Sequence, residues 1–199
     1  MPGETASGFL RLFIAIAVPP DVRQEIGRAQ AQLRRCSPPG AIRWTKPEQF
    51  HVTLKFLGDV HTGQLAALEK SVAAVCAGFP SLELSANGVG FFPGRRRPRV
   101  VWAGAVDWEH RLGELHRQID ETTLPFAVAD KPGTFTGHIT LGRFKPGHRV
   151  TPDALLKRAE MLRDRHYGNW SVRDLEIVRC DLTPAGALHT VAATCRLGH

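Results

Sequence analysis

Residues 51–58, His51-Val52-Thr53-Leu54-Lys55-Phe56-Leu57-Gly58, return in altered form at 138–144 as His138-Ile139-Thr140-Leu141-Gly142-Arg143-Phe144. Each copy reads His, a β-branched residue, Thr, Leu, on a stretch with strand composition. The separation is 138 − 51 = 87 residues. That is too long for a solenoid repeat, and two copies are too few for one. It suits two halves of a duplicated, pseudo-symmetric fold. Side chains alternate along a strand, so His51 and Thr53 share one face while Val52 and Leu54 take the other. His138 and Thr140 are related to Ile139 and Leu141 in the same way. If the two strands face each other across a cleft, two imidazoles and two hydroxyls meet in one small volume.

Working outward, Phe9 to Val18 is β-rich and bounded by Pro19-Pro20, which predicts a strand. Asp21 then reads as an N-cap, and Val22, Ile26, Ala29 and Leu33 recur at helical spacing to about Arg35. Ile42 to Thr45 is a short strand. His51 to Leu57 is a strand ended by Gly58, and Thr62 to Cys76 a second helix. Leu82 to Phe92 reads as a strand with glycine irregularities, and Val100 to Ala105 as another. Trp108 to Glu121 follows as a third helix. The second His-x-Thr strand lies within Phe135 to Phe144. Thr151-Pro152-Asp153 caps a fourth helix to about Asp164. Ser171 to Leu182 and Leu188 to Cys195 form a hairpin around Thr183-Pro184-Ala185-Gly186. Short turns between neighbouring strands demand antiparallel pairing, so the fold class is α+β rather than a doubly wound parallel sheet.

The chain has 199 residues, 43% of them hydrophobic and 23% charged, enough to bury a sizeable core in one large domain or in two small lobes sharing an interface. With one His-x-Thr motif to a lobe, the expectation is a single two-lobed domain over 1–199. The formal net charge of +7 suits a polyanionic partner, although many basic proteins bind none, so charge alone leaves both readings open. The longest early apolar run, Leu12 to Pro20, is too short to span a membrane. It lacks the basic flank and cleavage site of a signal peptide. The four cysteines, Cys36, Cys76, Cys180 and Cys195, form no C-x-x-C pair, which fits free thiols in a reducing cytoplasm. Cys180 and Cys195 fall on adjacent predicted strands, close enough in principle to meet.

The paired motif has a chemical use. A phosphodiester needs one group to activate the attacking water and another to protonate the leaving oxygen. Histidine titrates near neutrality, so one imidazole can be neutral while the other is protonated. Threonine hydroxyls can donate to the non-bridging phosphate oxygens. This inventory requires no metal. A single His-x-Thr is a weak signal, equally a surface pair or a core histidine; two copies in matching strands are far more specific.

Other stretches belong with the motif: Arg11-Leu12-Phe13-Ile14-Ala15 with Pro19-Pro20, Arg43-Trp44 with Lys46-Pro47-Glu48, Phe92-Pro93, and Arg97-Pro98-Arg99-Val100-Val101-Trp102. Phe135-Thr136 and Leu182-Thr183-Pro184-Ala185-Gly186-Ala187 complete them. With these, nearly the whole chain resembles the two-histidine phosphoesterases, specifically the RNA 2′,3′-cyclic phosphodiesterases historically called 2′–5′ RNA ligases. The resemblance implies a bilobal α+β fold with a pseudo-twofold axis, antiparallel sheets flanked by helices, and an active-site cleft between the lobes. It implies metal- and cofactor-free opening of a 2′,3′-cyclic phosphate at an RNA end to a 2′-phosphate. His51 would be the proton donor to the leaving 3′ oxygen and His138 the proton acceptor from water. Two departures stand out: Gly137 replaces a proline before the second histidine, and His189 stands where the family tends to carry an aromatic.

Thr53 and Thr140 are the expected phosphate ligands. Strict alternation puts Arg143 on the face away from His138, but a bulge at Gly142 would re-aim it at the phosphate, the role the resemblance implies; a surface salt bridge is the alternative. Lys55 shares parity with His51 and Thr53, which lets it line the cleft. Phe56 shares parity with Val52 and Leu54 and reads as core. Trp44 suits base stacking or packing equally. Arg95, Arg96, Arg97 and Arg99 would follow an RNA backbone or form a solvated turn. His61, His110, His116, His148, His166 and His199 read as surface or packing residues.

The expected partner is RNA or a nucleotide ending in a 2′,3′-cyclic phosphate, met by a monomer that needs no membrane. Competing readings are ATP-independent reversible 2′–5′ RNA ligation at the same site, since no lysine motif for nucleotidylation is visible, and a non-catalytic RNA-binding module. A metallophosphatase is weaker, because no Asp/His cluster with ligand spacing accompanies the motifs.

Overall fold

The two repeated segments lie side by side at the centre of one antiparallel sheet. The structure is a computed structural model that describes residues 8–127, 134–147, 152–184 and 186–198. Strands β3 (His51–His61) and β6 (His138–Phe144) are antiparallel, and their one ladder pair is Val52 opposite Ile139, the middle residues of the two triplets. From β3 the sheet continues through β1 (Phe9–Ala17), β8 (Asp174–Thr183) and β9 (Gly186–Arg196). From β6 it continues through β5 (Val100–Val106), β4 (Leu82–Phe92) and β7 (His166–Val172). A short strand β2 (Ile42–Trp44) takes the edge of β6 beyond β3. Every pairing between these strands is antiparallel. The order therefore mirrors itself about the β3/β6 junction, four strands to a lobe, as an α+β two-lobed fold requires.

The helices α1 (Pro20–Arg35), α2 (Leu65–Ala77), α3 (Arg111–Thr123) and α4 (Asp153–Met161) cover one face. Val22, Ile26, Ala29 and Leu33 form the buried stripe of α1, as their spacing predicts. α1 leaves the first lobe after β1 and packs on β7 and α4 of the second. α3 leaves the second lobe after β5 and packs on β3 and α2 of the first. One continuous apolar core fills the space between sheet and helices. Among the described residues, the opposite face carries only a small cluster, Phe13, Ala15 and Val178, and is free for chemistry.

Several expected boundaries shift for identifiable reasons. Pro19 caps α1 and Pro20 opens it, so Asp21 sits inside the first turn, where its charge complements the helix dipole. Gly58 does not end β3; it takes a φ of +74° at an irregularity and the strand runs on to His61. The third helix starts at Arg111 rather than Trp108 because the Asp107 carboxylate accepts from the Glu109 and Leu112 amides, at 2.9 and 2.7 Å, and holds 107–110 as a turn. The expected single strand over Ser171 to Leu182 is two, β7 and β8, which break at Arg173 as the chain passes from one lobe to the other. Cys180 faces His189 and Cys195 faces Leu175, so these two cysteines lie at opposite ends of their strands, and all four thiols are free. Thr151 of the fourth helix cap, Ala185 of the last turn, His148 and His199 lie outside the described residues.

Candidate active site

The repeat extends further than its sequence shows. Ile16 of β1 pairs with Val52, and Ala103 of β5 pairs with Ile139, so the offset is again 103 − 16 = 87. Both lobes carry the same bulge. Thr53 pairs with Ala15 and Lys55 with Ile14, leaving Leu54 extra; Thr140 pairs with Trp102 and Gly142 with Val101, leaving Leu141 extra. One extra residue inverts the side-chain alternation beyond it. Phe56 and Arg143, the next pair at the 87-residue offset, are thereby turned back toward the face of His51, Thr53, His138 and Thr140.

Three expectations resolve on this geometry. Arg143 is re-aimed and lines the cleft. Lys55 does not line it: its side chain is 4% exposed, points to the helix side and meets Asp120 of α3 at 2.5 Å. Phe56 is not core: it is 54% exposed and lines the cleft. In the second lobe the bulge is pinned from behind. Gln30 of α1 is buried, and its amide donates to the carbonyls of Thr45 and Leu141 at 2.7 and 2.8 Å. Nothing in the sequence around Gln30 announces this role.

The cleft between the lobes measures about 540 Å³. Thr53 and Thr140 reach it from the two halves, with Arg11, Arg43 and Arg143 as cations, and Trp44 and Phe56 as exposed or half-buried aromatics. Arg95, Arg96, Arg97 and Arg99 do not line it, and Arg95 is engaged by Glu160 of α4. Of the remaining histidines, His61 accepts from the Gly63 amide, His116 stacks on Phe135 and His166 bonds Asn169.

The two site imidazoles are held alike. His51 Nδ1 lies 2.7 Å from the Gln49 carbonyl and His138 Nδ1 lies 2.8 Å from the Thr136 carbonyl, and 136 − 49 is once more 87. A carbonyl only accepts, so each Nδ1 carries the hydrogen and each neutral ring keeps its lone pair on Nε2. Their packing differs. His51 lies between Phe13 and His189, with ring centroids 4.9 and 5.4 Å away. His138 lies against Phe92 at 4.9 Å and Trp102 at 6.4 Å. Gly90 opposite Trp102 makes room for that indole; a Cβ there would fall 2.2 Å from it.

Burial pushes the His51 imidazole down to about 4, and nearby His189, His138 and Arg143 push the same way against the Gln49 bond. His138 is lowered as well, by burial first and then by Arg143, against the Thr136 bond. His189 is lowered by burial. Among the described residues, no three His, Cys, Asp or Glu side chains converge to hold a metal ion.

A mirrored antiparallel sheet with one His-x-Thr pair in each half, bordering a cationic cleft lined by His51, Thr53 and Thr140, with His138 two residues before Thr140 on the same strand, is the architecture of a two-histidine phosphoesterase. The model of the LigT-like phosphoesterase family matches residues 16–102. An RNA 2′,3′-cyclic phosphodiesterase of Methanothermobacter thermautotrophicus is 32% identical over 189 residues, 94% of this chain and 99% of its own length. One from Thermus thermophilus is 34% identical over 92% of this chain and 87% of its own. The crystal structure of the Thermus thermophilus protein TT0787 superposes with a TM-score of 0.75 at 27% identity, over 96% of this chain and all of the other. The chain belongs to this family of LigT-like phosphoesterases.

Proposed function

We propose that the protein hydrolyses 2′,3′-cyclic phosphate ends of RNA to 2′-phosphates, without a metal or cofactor. The relatives' activity supports the reaction class. The observation that carries the reading is the pair of imidazoles, each with Nδ1 fixed on a carbonyl and Nε2 left for substrate, beside Thr53, Thr140 and Arg143. In this reading the water oxygen bonds phosphorus as the P–O3′ bond breaks. His138 takes the water's proton and His51 gives its own to the 3′ oxygen. The threonine hydroxyls and Arg143 donate to the non-bridging oxygens, and charge-assisted bonds from Arg143 are the stronger contribution. Trp44 offers a face in the cleft for a base of the RNA further from its end.

The resting site holds both imidazoles below their ordinary range. An anionic phosphodiester seated between them favours the imidazolium, so one proton enters with the substrate. No helix of the described residues is long and apolar enough to cross a membrane. The four free thiols support a reducing cytoplasm, where the protein would act as a monomer.

The test is incubation in EDTA with a nucleoside 2′,3′-cyclic phosphate and with an RNA bearing that end, resolving 2′- from 3′-phosphate. The reading expects 2′-phosphate alone. Loss of turnover in EDTA with recovery on a divalent ion would replace it with metal-assisted hydrolysis.

A further inference from the structure

Beside His51 a second space, an annexe of about 280 Å³, borders the cleft. Phe13, Gln49, His51 and His189 line both spaces, so the two adjoin beside the first imidazole. The annexe has an apolar lining from Val18, Phe50 and Val178; its charged lining is Glu176 from β8, Arg23 from α1 and Glu48, and Glu176 and Arg23 enter it from different elements with opposite charge. An apolar space with a few directed polar groups is the form of a small-molecule pocket.

Glu176 is half-buried, yet among the described residues no side chain or amide bonds its carboxylate and no cation lies within ion-pair distance. Burial pushes its acidity toward the neutral form, Asp174 adds to that, and Arg23 opposes it. Arg23 has one long bond, 3.4 Å to the Glu48 carbonyl. Both groups are therefore available to a ligand. Their placement relative to the reacting centre is set by the sheet: Glu176 pairs with Ala15, and Ala15 pairs with Thr53. Glu176 and Thr53 thus share one row two strands apart, roughly 10 Å at the usual strand spacing. That span is the reach of one nucleotide from its phosphate to the far edge of its base.

An ionised carboxylate only accepts hydrogen bonds. Guanine is the base whose pairing edge offers two adjacent donors, N1–H and the exocyclic amine, with the acceptor O6 alongside. Adenine and cytosine place a ring-nitrogen acceptor where the carboxylate would sit, and uracil offers one donor between two acceptors. We propose that the annexe reads the base of the terminal nucleotide and favours guanine, Glu176 accepting from N1–H and the amine and Arg23 donating to O6. The proposal rests on the cyclic-phosphodiesterase reading.

The experiment measures kcat/KM for the guanosine, adenosine, cytidine and uridine 2′,3′-cyclic phosphates with wild type, Glu176→Gln and Arg23→Ala. Guanosine should lead uridine by about 10- to 100-fold, the range a bidentate base contact carries. Glu176→Gln should collapse the guanosine-to-uridine ratio toward one, and Arg23→Ala should reduce it. A ratio is blind to a general loss of activity, so a merely destabilised variant does not mimic the result. Equal turnover of all four, a different favoured base, or a ratio untouched by Glu176→Gln overturns the proposal and leaves the cyclic-phosphodiesterase reading standing. If none of the four is hydrolysed, it is that reading which fails. Binding of guanosine and uridine 3′-monophosphates then decides the annexe, and equal affinities overturn it.

Discussion

The two halves of the site share a backbone and differ in their surroundings. His51 and His138 have the same strand position, the same carbonyl partner and the same bulge three residues later. Yet Thr53 has Ala15 beside it where Thr140 has Trp102, and Phe56 occupies the position that Arg143 fills in the other half. His51 has a third imidazole beside it as well as Phe13, whereas His138 rests against Phe92 and Trp102. Duplication supplies two equivalent imidazoles; hydrolysis needs an acid and a base. The difference lies in the surroundings: burial, with His189, His138 and Arg143 adding to it, depresses His51 to about 4, while burial and then Arg143 lower His138.

The comparison can be broken most directly at the two imidazoles. His51→Ala and His138→Ala should each reduce turnover by roughly 10²- to 10⁴-fold, the range for a positioned acid or base. A near-wild-type rate in one of them would mean that a single half carries the chemistry. The next test separates the halves by proton linkage. A histidine whose folded pKa lies below its unfolded value stabilises the fold above the unfolded value, and that stability is lost as pH falls toward the folded one. For His51 the window runs from about 6.5 down to about 4. Urea melts across that window should show wild type losing about 3 kcal/mol more than His51→Gln. The same comparison for His138→Gln should give a smaller difference, and equal slopes would erase the asymmetry.

Arg143→Ala should lower kcat/KM by roughly 10- to 100-fold through lost charge-assisted bonds to phosphate. Phe56→Ala, its counterpart, should cost much less, and its effect should fall on KM. A comparable loss in both would assign the two positions the same role. The smallest expected effect is at the pinned bulge. Gln30→Leu should destabilise the fold by about 1 kcal/mol per lost hydrogen bond and impair Arg143-dependent turnover. Unfolding curves and steady-state rates measured together would separate the two consequences.

The sequence shows one half of this comparison better than the other. Alternation places His51 with Thr53 and His138 with Thr140, and the apolar spacing of α1 is visible residue by residue. The second bulge is also visible, because Gly142 breaks the β-branched pattern just before Arg143. The first is not: Leu54-Lys55-Phe56 contains no glycine, and alternation alone sends Lys55 to the cleft and Phe56 to the core. The error comes from tertiary pairing, since a bulge is fixed by the register against Ile14 and Ala15, some forty residues earlier in the chain. Gln30 is hidden for the same reason, its acceptors Thr45 and Leu141 lying far along the chain. His189 appears only as a departure from an aromatic position, and its contact with His51 requires β9 to be in place. The annexe with Glu176 needs β8, β9 and α1 together.

The exchange of helices between the lobes also governs how the chain can fold as it is made. After β3 has left the ribosome, β1 still lacks its partner β8, which begins at Asp174, and β9 runs to Arg196. The helix side of β3 waits for α3, and the lobe that receives α1 is not complete until β7. Neither half holds all the packing partners of its own strands and helices. Such long-range pairing slows folding and leaves strand edges open to other chains in the meantime. The nascent first half therefore depends on β8 and β9, which are synthesised later, and the finished protein should unfold in one cooperative step rather than lobe by lobe.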